Sequence, residues 1–104
     1  MVSLHIEHAI SDLGTWLVAF SRFEEARRKA GVLAHRVRRP IDDDAYIYVD
    51  LVFETAERAA AFRTYLEETV WASPEASPAL EGTPKARILT DVEVSGRELS
   101  TPRA

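Results

Sequence analysis

A chain of 104 residues with 46% hydrophobic and 29% charged positions has enough apolar material for one packed core and too little length for two domains. Its formal net charge of −4 and lack of a basic, aromatic-interleaved surface argue against nucleic acid as a partner. It has no cysteine, which excludes disulfides, thiolate zinc sites and cysteine nucleophiles.

The N-terminus, MVSLHIEHAI, lacks the basic start and the apolar run of roughly 7 to 15 residues that a signal peptide carries. Nothing approaches the roughly 20 apolar residues of a membrane span. The expected compartment is the cytoplasm. Arginine supplies most of the basic residues, and asparagine and glutamine are absent, a bias that hints at a GC-rich bacterial source.

Residues 2 to 10 alternate as a half-buried strand does: Val2, Leu4, Ile6, His8 and Ile10 on one parity, Ser3, His5, Glu7 and Ala9 on the other. Ser11 or Asp12 is placed to cap a helix whose large apolar residues are Leu13, Trp16, Leu17, Phe20 and Phe23, and which ends at Gly31 after a basic last turn. VLAHRVRRP reads as a second strand stopped by Pro40. Ile41 to Asp44 has turn chemistry, so a hairpin leads into AYIYVDLVFE. That third strand carries bulk on both faces and reads as central.

Thr55 is a plausible N-cap for a second long helix with Ala59, Phe62, Leu66 and Val70 on one stripe. Three prolines then interrupt regular structure between residues 74 and 84, with one short turn possible at Ser77 to Leu80. KARILTDVEV supplies a fourth strand centred on Ile88 to Val92. The remaining SGRELSTPRA is polar and aperiodic, and is expected to be a mobile tail or an arm reaching onto a partner.

Strand, helix, strand, strand, helix, strand is the βαββαβ order of an α+β, ferredoxin-like fold. Right-handed crossovers predict a four-stranded antiparallel sheet in the order 4-1-3-2 with both helices on one face, built from residues 1–94 and followed by the tail 95–104. The other face would show His5, Glu7, Arg36, Arg38, Tyr46, Tyr48 and Asp50. A solvated sheet face rarely carries two tyrosines in its central strand. Such a mixture suits a wet but buried sheet-to-sheet interface, and a homodimer is expected.

The HIEH-type first strand, the helix containing Trp16 and Phe20, the GVLAHRV strand, YIYVDLVFET and AFRTYLEETVW together resemble the dimeric α/β-barrel superfamily, and within it the antibiotic biosynthesis monooxygenase-like proteins. The resemblance covers about residues 2 to 94 and rests on element order and on where the aromatic and apolar residues fall. It implies two sheets sharing a barrel, and a compact aromatic or polyketide-like ligand held between helices and sheet. Some members of the family use no cofactor and others take haem. Haem-degrading relatives use an asparagine, a tryptophan and a histidine on the second helical segment; this chain has no asparagine and no histidine there. Haem oxygenation is therefore disfavoured and no cofactor is expected.

Three chemical readings compete. His5 and His8 would sit on opposite faces of a strand, so they cannot chelate one ion, and no metal is expected. His8 or His35 could act as a general base in a ligand pocket roofed by Trp16, Phe20, Phe62, Tyr65 and Trp71. Taken with the resemblance, that reading implies a cofactor-independent monooxygenase. The plainer alternative is a core histidine bonded to backbone, in a non-catalytic binding or assembly module with a filled core. Asp42, Asp43 and Asp44 are too closely spaced for a calcium loop and read as a solvated turn. Arg36, Arg38 and Arg39 have Asp50 and Glu7 as ready partners.

Overall fold

The computed structural model describes residues 1–96; the expected tail, 95–104, lies outside the described residues from position 97 onward. Strand β1 (Val2–Ile10) is followed by helices α1 (Leu13–Arg22) and α2 (Glu24–Ala30), strands β2 (Ala34–Arg38) and β3 (Tyr46–Phe53), helix α3 (Ala56–Tyr65), a π-helical turn (Leu66–Val70) and strand β4 (Leu80–Thr90). The sheet order is β2-β3-β1-β4, and the three pairings are antiparallel. This is the α+β ferredoxin-like arrangement predicted from element order.

Register sets the two faces. Leu4, Ile6 and His8 of β1 lie opposite Leu51, Val49 and Ile47 of β3, while Ser3, His5 and Glu7 lie opposite Val52, Asp50 and Tyr48. The apolar members of the first set, with Phe53, Ala59 and Phe62, form the core beneath the helices. Phe53, Leu4, Ile47 and Leu51 are essentially inaccessible, each contributing about 1.5–3 kcal/mol relative to exposure. Leu33, which shares parity with the core positions, is nonetheless 49% exposed. It belongs to the connection between the Gly31 turn and the edge strand β2, beyond the end of α2.

Local chemistry fixes the element ends. The Asp12 carboxylate accepts from the Thr15 N–H at 2.8 Å, and the Thr55 hydroxyl accepts from the Arg58 N–H at 3.2 Å, so both caps fall where side-chain acceptors were expected. In the hairpin turn Asp43 accepts from the Ala45 N–H at 2.8 Å. Gly31 closes α2 at φ 92°, a left-handed conformation suited to glycine.

Three features depart from the expectations of the sequence. The first helix is divided at Phe23, whose φ of −99° and ψ of 14° leave the helical region. There the Phe20 carbonyl accepts from the Phe23 N–H at 3.2 Å and from the Arg27 guanidinium at 2.6 Å, so a tertiary donor takes over an acceptor of the last turn. The second helix also ends differently. The Trp71 N–H donates to the Leu66 carbonyl, five residues back, at 2.7 Å, which makes Leu66–Val70 a π turn. Finally, β4 starts at Leu80 rather than Lys85. A register shift between Glu7↔Lys85 and Ala9↔Glu81 accommodates Gly82, Thr83 and Pro84 as a bulge, and the edge position tolerates a proline that donates no hydrogen bond.

Candidate functional site

Between the helices and the sheet lies a half-enclosed cavity of about 80 Å³. At the roughly 10–15 Å³ that one water requires on this measure, the space holds several waters or a ring-sized molecule. Its floor comes from Ile6, His8, Val49 and Leu51 of the sheet, and its walls from Trp16, Phe20 and Phe23 of the first helical segment and Phe62, Leu66, Val70 and Trp71 of the second. Ala76, Ser77, Ala79 and Leu80 close one end.

The π turn is what brings the second wall together. An α turn advances 100° per residue, and one extra residue in the turn shifts every later position. Leu66, at its start, and Val70 and Trp71, at its end, all meet the cavity. The Ser77 hydroxyl then donates to the Val70 and Ser73 carbonyls at 2.9 Å, tying the next segment to the end of the turn.

His8 is the cavity's imidazole. Only 5% of it is exposed, and its Nδ1 lies 2.8 Å from the Ala9 carbonyl oxygen. A carbonyl can only accept, so Nδ1 carries the proton and Nε2 holds the lone pair. Burial lowers the pKa below the usual histidine value of 6.5, with the Ala9 carbonyl opposing. No buried side-chain nitrogen or oxygen among the described residues lacks a hydrogen-bond partner. Nε2 has no partner among the described residues and His8 lines the cavity, so Nε2 stays accessible as an acceptor. The site therefore holds a neutral base among apolar walls.

The predicted pocket residues divide. Trp16, Phe20, Phe62 and Trp71 line the cavity with His8; Tyr65 and His35 do not. Tyr65 packs against Phe62, ring centroids 5.6 Å apart, and Leu66 takes the cavity-facing position instead. His35 meets the Phe20 ring edge-on at 5.5 Å. It lies opposite Leu51, whereas His8 lies opposite Ile47, and β3 separates their strands. With about 3.3 Å per residue and 4.8 Å between strands, the two histidines are roughly 16 Å apart.

Arg27 is the cavity residue that the pattern of apolar side chains did not single out. It is 7% exposed and lines the cavity, and its guanidinium carbon stands 3.7 Å from the centre of the Phe20 ring. The signal was present as spacing, because position 27 continues the stripe of Leu13, Trp16, Phe20 and Phe23. It was hidden in the run Arg27-Arg28-Lys29, which reads as a basic last turn.

The opposite sheet face carries a connected polar network. His5 Nδ1 lies 2.8 Å from Asp50 Oδ1 and its Nε2 lies 3.0 Å from Glu7 Oε2. Tyr46 donates to Glu7 Oε1 at 3.0 Å, and Arg38 donates to Asp50 Oδ2 at 2.9 Å. Burial pulls the His5 pKa down, but the hydrogen bonds and charges of Asp50 and Glu7 outweigh it, and the net shift is upward. Glu7 is lowered by its hydrogen bonds from His5 and Tyr46. Tyr48 packs edge-on to Tyr46, 5.2 Å away, and tilted against His5, 6.1 Å away between centroids. Arg36 lies opposite Asp50 in register, yet the ion pair forms with Arg38. His5 and His8 thus belong to different faces and different chemistry.

The chain has the ferredoxin-like fold, which it shares with solved structures described as antibiotic biosynthesis monooxygenases. SnoaB, a cofactor-independent oxygenase from Streptomyces nogalater, superposes with a TM-score of 0.68 at 17% identity over 92% of this chain and 97% of its own. A provisionally assigned antibiotic biosynthesis monooxygenase from Nitrosomonas europaea gives 0.66 at 14% identity, covering 89% of this chain and all of that one. A dimeric ferredoxin-like protein from an uncultured marine organism gives 0.58 at 15% identity, over 89% of this chain and 96% of that one. No family model and no curated protein matches the sequence. At these identities the likeness is one of fold.

Proposed function

We propose that this chain forms a homodimer and binds a compact aromatic or polyketide-like molecule between helices and sheet, oxygenating it without a cofactor. The observation that carries the reading is His8: a neutral imidazole, held in one tautomer by the Ala9 carbonyl, that lines an aromatic cavity. Such a base takes the proton of a phenol or enol near neutral pH. The electron-rich carbanion left behind then reduces O2, the oxidant. A ring CH2 becomes C=O, one oxygen atom stays on carbon and the other leaves as water with the two hydrogens. The protein's tasks in this scheme are to position the ring, accept and return a proton at Nε2, and exclude bulk water with Trp16, Phe20 and Trp71.

The homodimer reading rests on the polar network of the open face, where two tyrosines, a histidine and two carboxylates are half-buried. One structural neighbour is described as dimeric. A non-catalytic binding role is the second reading, favoured because the Nδ1 contact of His8 is also what a purely structural histidine makes and because no asparagine is present to orient a substrate.

Oxygen uptake with anthrone and substituted hydroquinones separates the two. Uptake that falls about 100-fold or more in His8→Ala and is unchanged in His35→Ala supports the enzyme. Absent uptake in the native protein, or an unchanged rate in His8→Ala, leaves the binding role.

A further inference from the structure

Every carboxylate ion pair found among the described residues lies outside the cavity, and yet the cavity contains an arginine. Arg27 uses one guanidinium nitrogen on the Phe20 carbonyl, 2.6 Å away, and spreads its plane over the Phe20 ring. An arginine has five N–H donors, and among the described residues this one meets no other acceptor. Because no sealed side-chain nitrogen among the described residues is left unsatisfied, the remaining donors of this residue, which lines the cavity and is itself only 7% exposed, stay accessible to solvent or to a ligand. A guanidinium does not deprotonate in proteins; Glu24 acts on this one through its charge without pairing directly with it among the described residues, and a cation withdrawn from water with no directly bonded anion is costly until an anion or strong acceptor meets it.

We propose that Arg27 forms an oxyanion subsite in the cavity, so that the ligand is a planar ring bearing an ionised oxygen, held by the guanidinium while the ring stacks among Trp16, Phe20 and Trp71. The proposal deepens the reading of this cavity as an aromatic-binding site but does not depend on oxygenation. The shared chemistry is the anionic oxygen, which a carboxylate supplies ready-made and a phenol or enol supplies on losing its proton. In the second case Arg27 would stabilise the charge created when His8 accepts that proton, and so act with it on opposite sides of one proton transfer.

Two measurements on the whole protein distinguish these sources. Benzoate and benzamide share shape and differ in charge, and their binding is read by quenching of Trp16 and Trp71. The ionisation of 4-nitrophenol is read directly by the visible band of its phenolate. Benzoate is expected to bind at least about tenfold more tightly than benzamide. Bound 4-nitrophenol is expected to ionise at lower pH than in solution, corresponding to about a tenfold change in its acidity. Preference for benzoate alone assigns the subsite to carboxylates, and the phenolate shift alone assigns it to enols and phenols. Equal binding of benzoate and benzamide together with an unshifted phenol, or no binding of any probe, overturns the proposal.

Arg27→Lys should keep part of each effect and Arg27→Met should lose both. The phenolate shift should persist in His8→Phe, which separates charge stabilisation from proton acceptance. Arg27 also closes the end of α1, so circular dichroism and thermal midpoints accompany the variants; the comparison of benzoate with benzamide on the native protein stands without any substitution. Carboxylate binding without oxygen uptake would remove the oxygenase reading and leave the subsite. Oxygen uptake with no dependence of binding on ligand charge would do the reverse.

Discussion

The Trp71 amide donates to the carbonyl of Leu66 at 2.7 Å, and this i to i+5 bond sets which way the Trp71 ring points. Deleting one exposed residue inside the π turn should turn this bond into an i to i+4 bond between the same two groups, and because the loss of a residue and the return to about 100° per residue offset each other, Trp71 should keep its direction. Glu68 is exposed, so deleting it removes no core contact of its own. The variant is expected to fold, with helical content retained in circular dichroism and quenching by aromatic probes preserved. Loss of quenching in a folded variant would mean that the extra residue itself is needed to aim Trp71 into the cavity.

The contrast between what the sequence disclosed and what it concealed comes from the range of the forces involved. Strand parity is local and has period two, so the separation of His5 from His8 and the two faces of β3 were legible from spacing alone. Caps at Asp12 and Thr55 and the turn at Gly31 are equally local. The break at Phe23 was hidden because it depends on Arg27 reaching back to Phe20. The π turn was hidden because Leu66 and Val70 also fit a continuous α stripe. Gly82, Thr83 and Pro84 look like a loop in any window, and only pairing with β1 makes them a bulge within β4. In the site, aromatic residues on the apolar stripes were legible and a cation on the same stripe was not, since charge normally marks the solvent side.

His8 and His5 should bend the stability profile in opposite directions. His8 has its folded pKa below 6.5, so the unfolded chain binds protons more readily, and stability falls as pH drops from 6.5 toward the lowered value. His5 has its folded pKa above 6.5, so its contribution is complete below 6.5 and is lost as pH rises through the raised value. Thermal midpoints across this range should show His8→Gln flattening the acid side and His5→Gln flattening the alkaline side. Identical profiles for the two variants would contradict the placement of these side chains.

The open face provides a test of assembly. Tyr48 lies opposite Glu7 in the β1–β3 register and opposite Arg38 in the β2–β3 register, beside a network whose acceptors are already occupied. Tyr48→Glu sets a carboxylate opposite Glu7 on one side, at a cost of roughly 0.2–1 kcal/mol, and opposite Arg38 on the other, which offsets that cost within the protomer, while it removes an aromatic ring from the surface proposed to meet the second copy. Sedimentation at micromolar concentration is expected to show the native dimer and a monomeric variant that still folds. A variant that stays dimeric would locate the contact elsewhere.

Gly31 offers a test of backbone strain separated from steric contact. Its φ is 92°, and a Cβ placed there would come 2.7 Å from the Arg58 guanidinium nitrogen Nη1. That neighbour is the end of a flexible side chain and can move aside, whereas the left-handed backbone cannot change without unseating the end of α2. Gly31→Ala is therefore expected to cost about 1–2 kcal/mol through the backbone, seen in urea titration as a lower midpoint with an unchanged slope. Adding Arg58→Ala should recover little of that loss, because the contact it relieves is the inexpensive part. A full recovery in the double variant would show that crowding, not the left-handed conformation, is what requires glycine at this helix end.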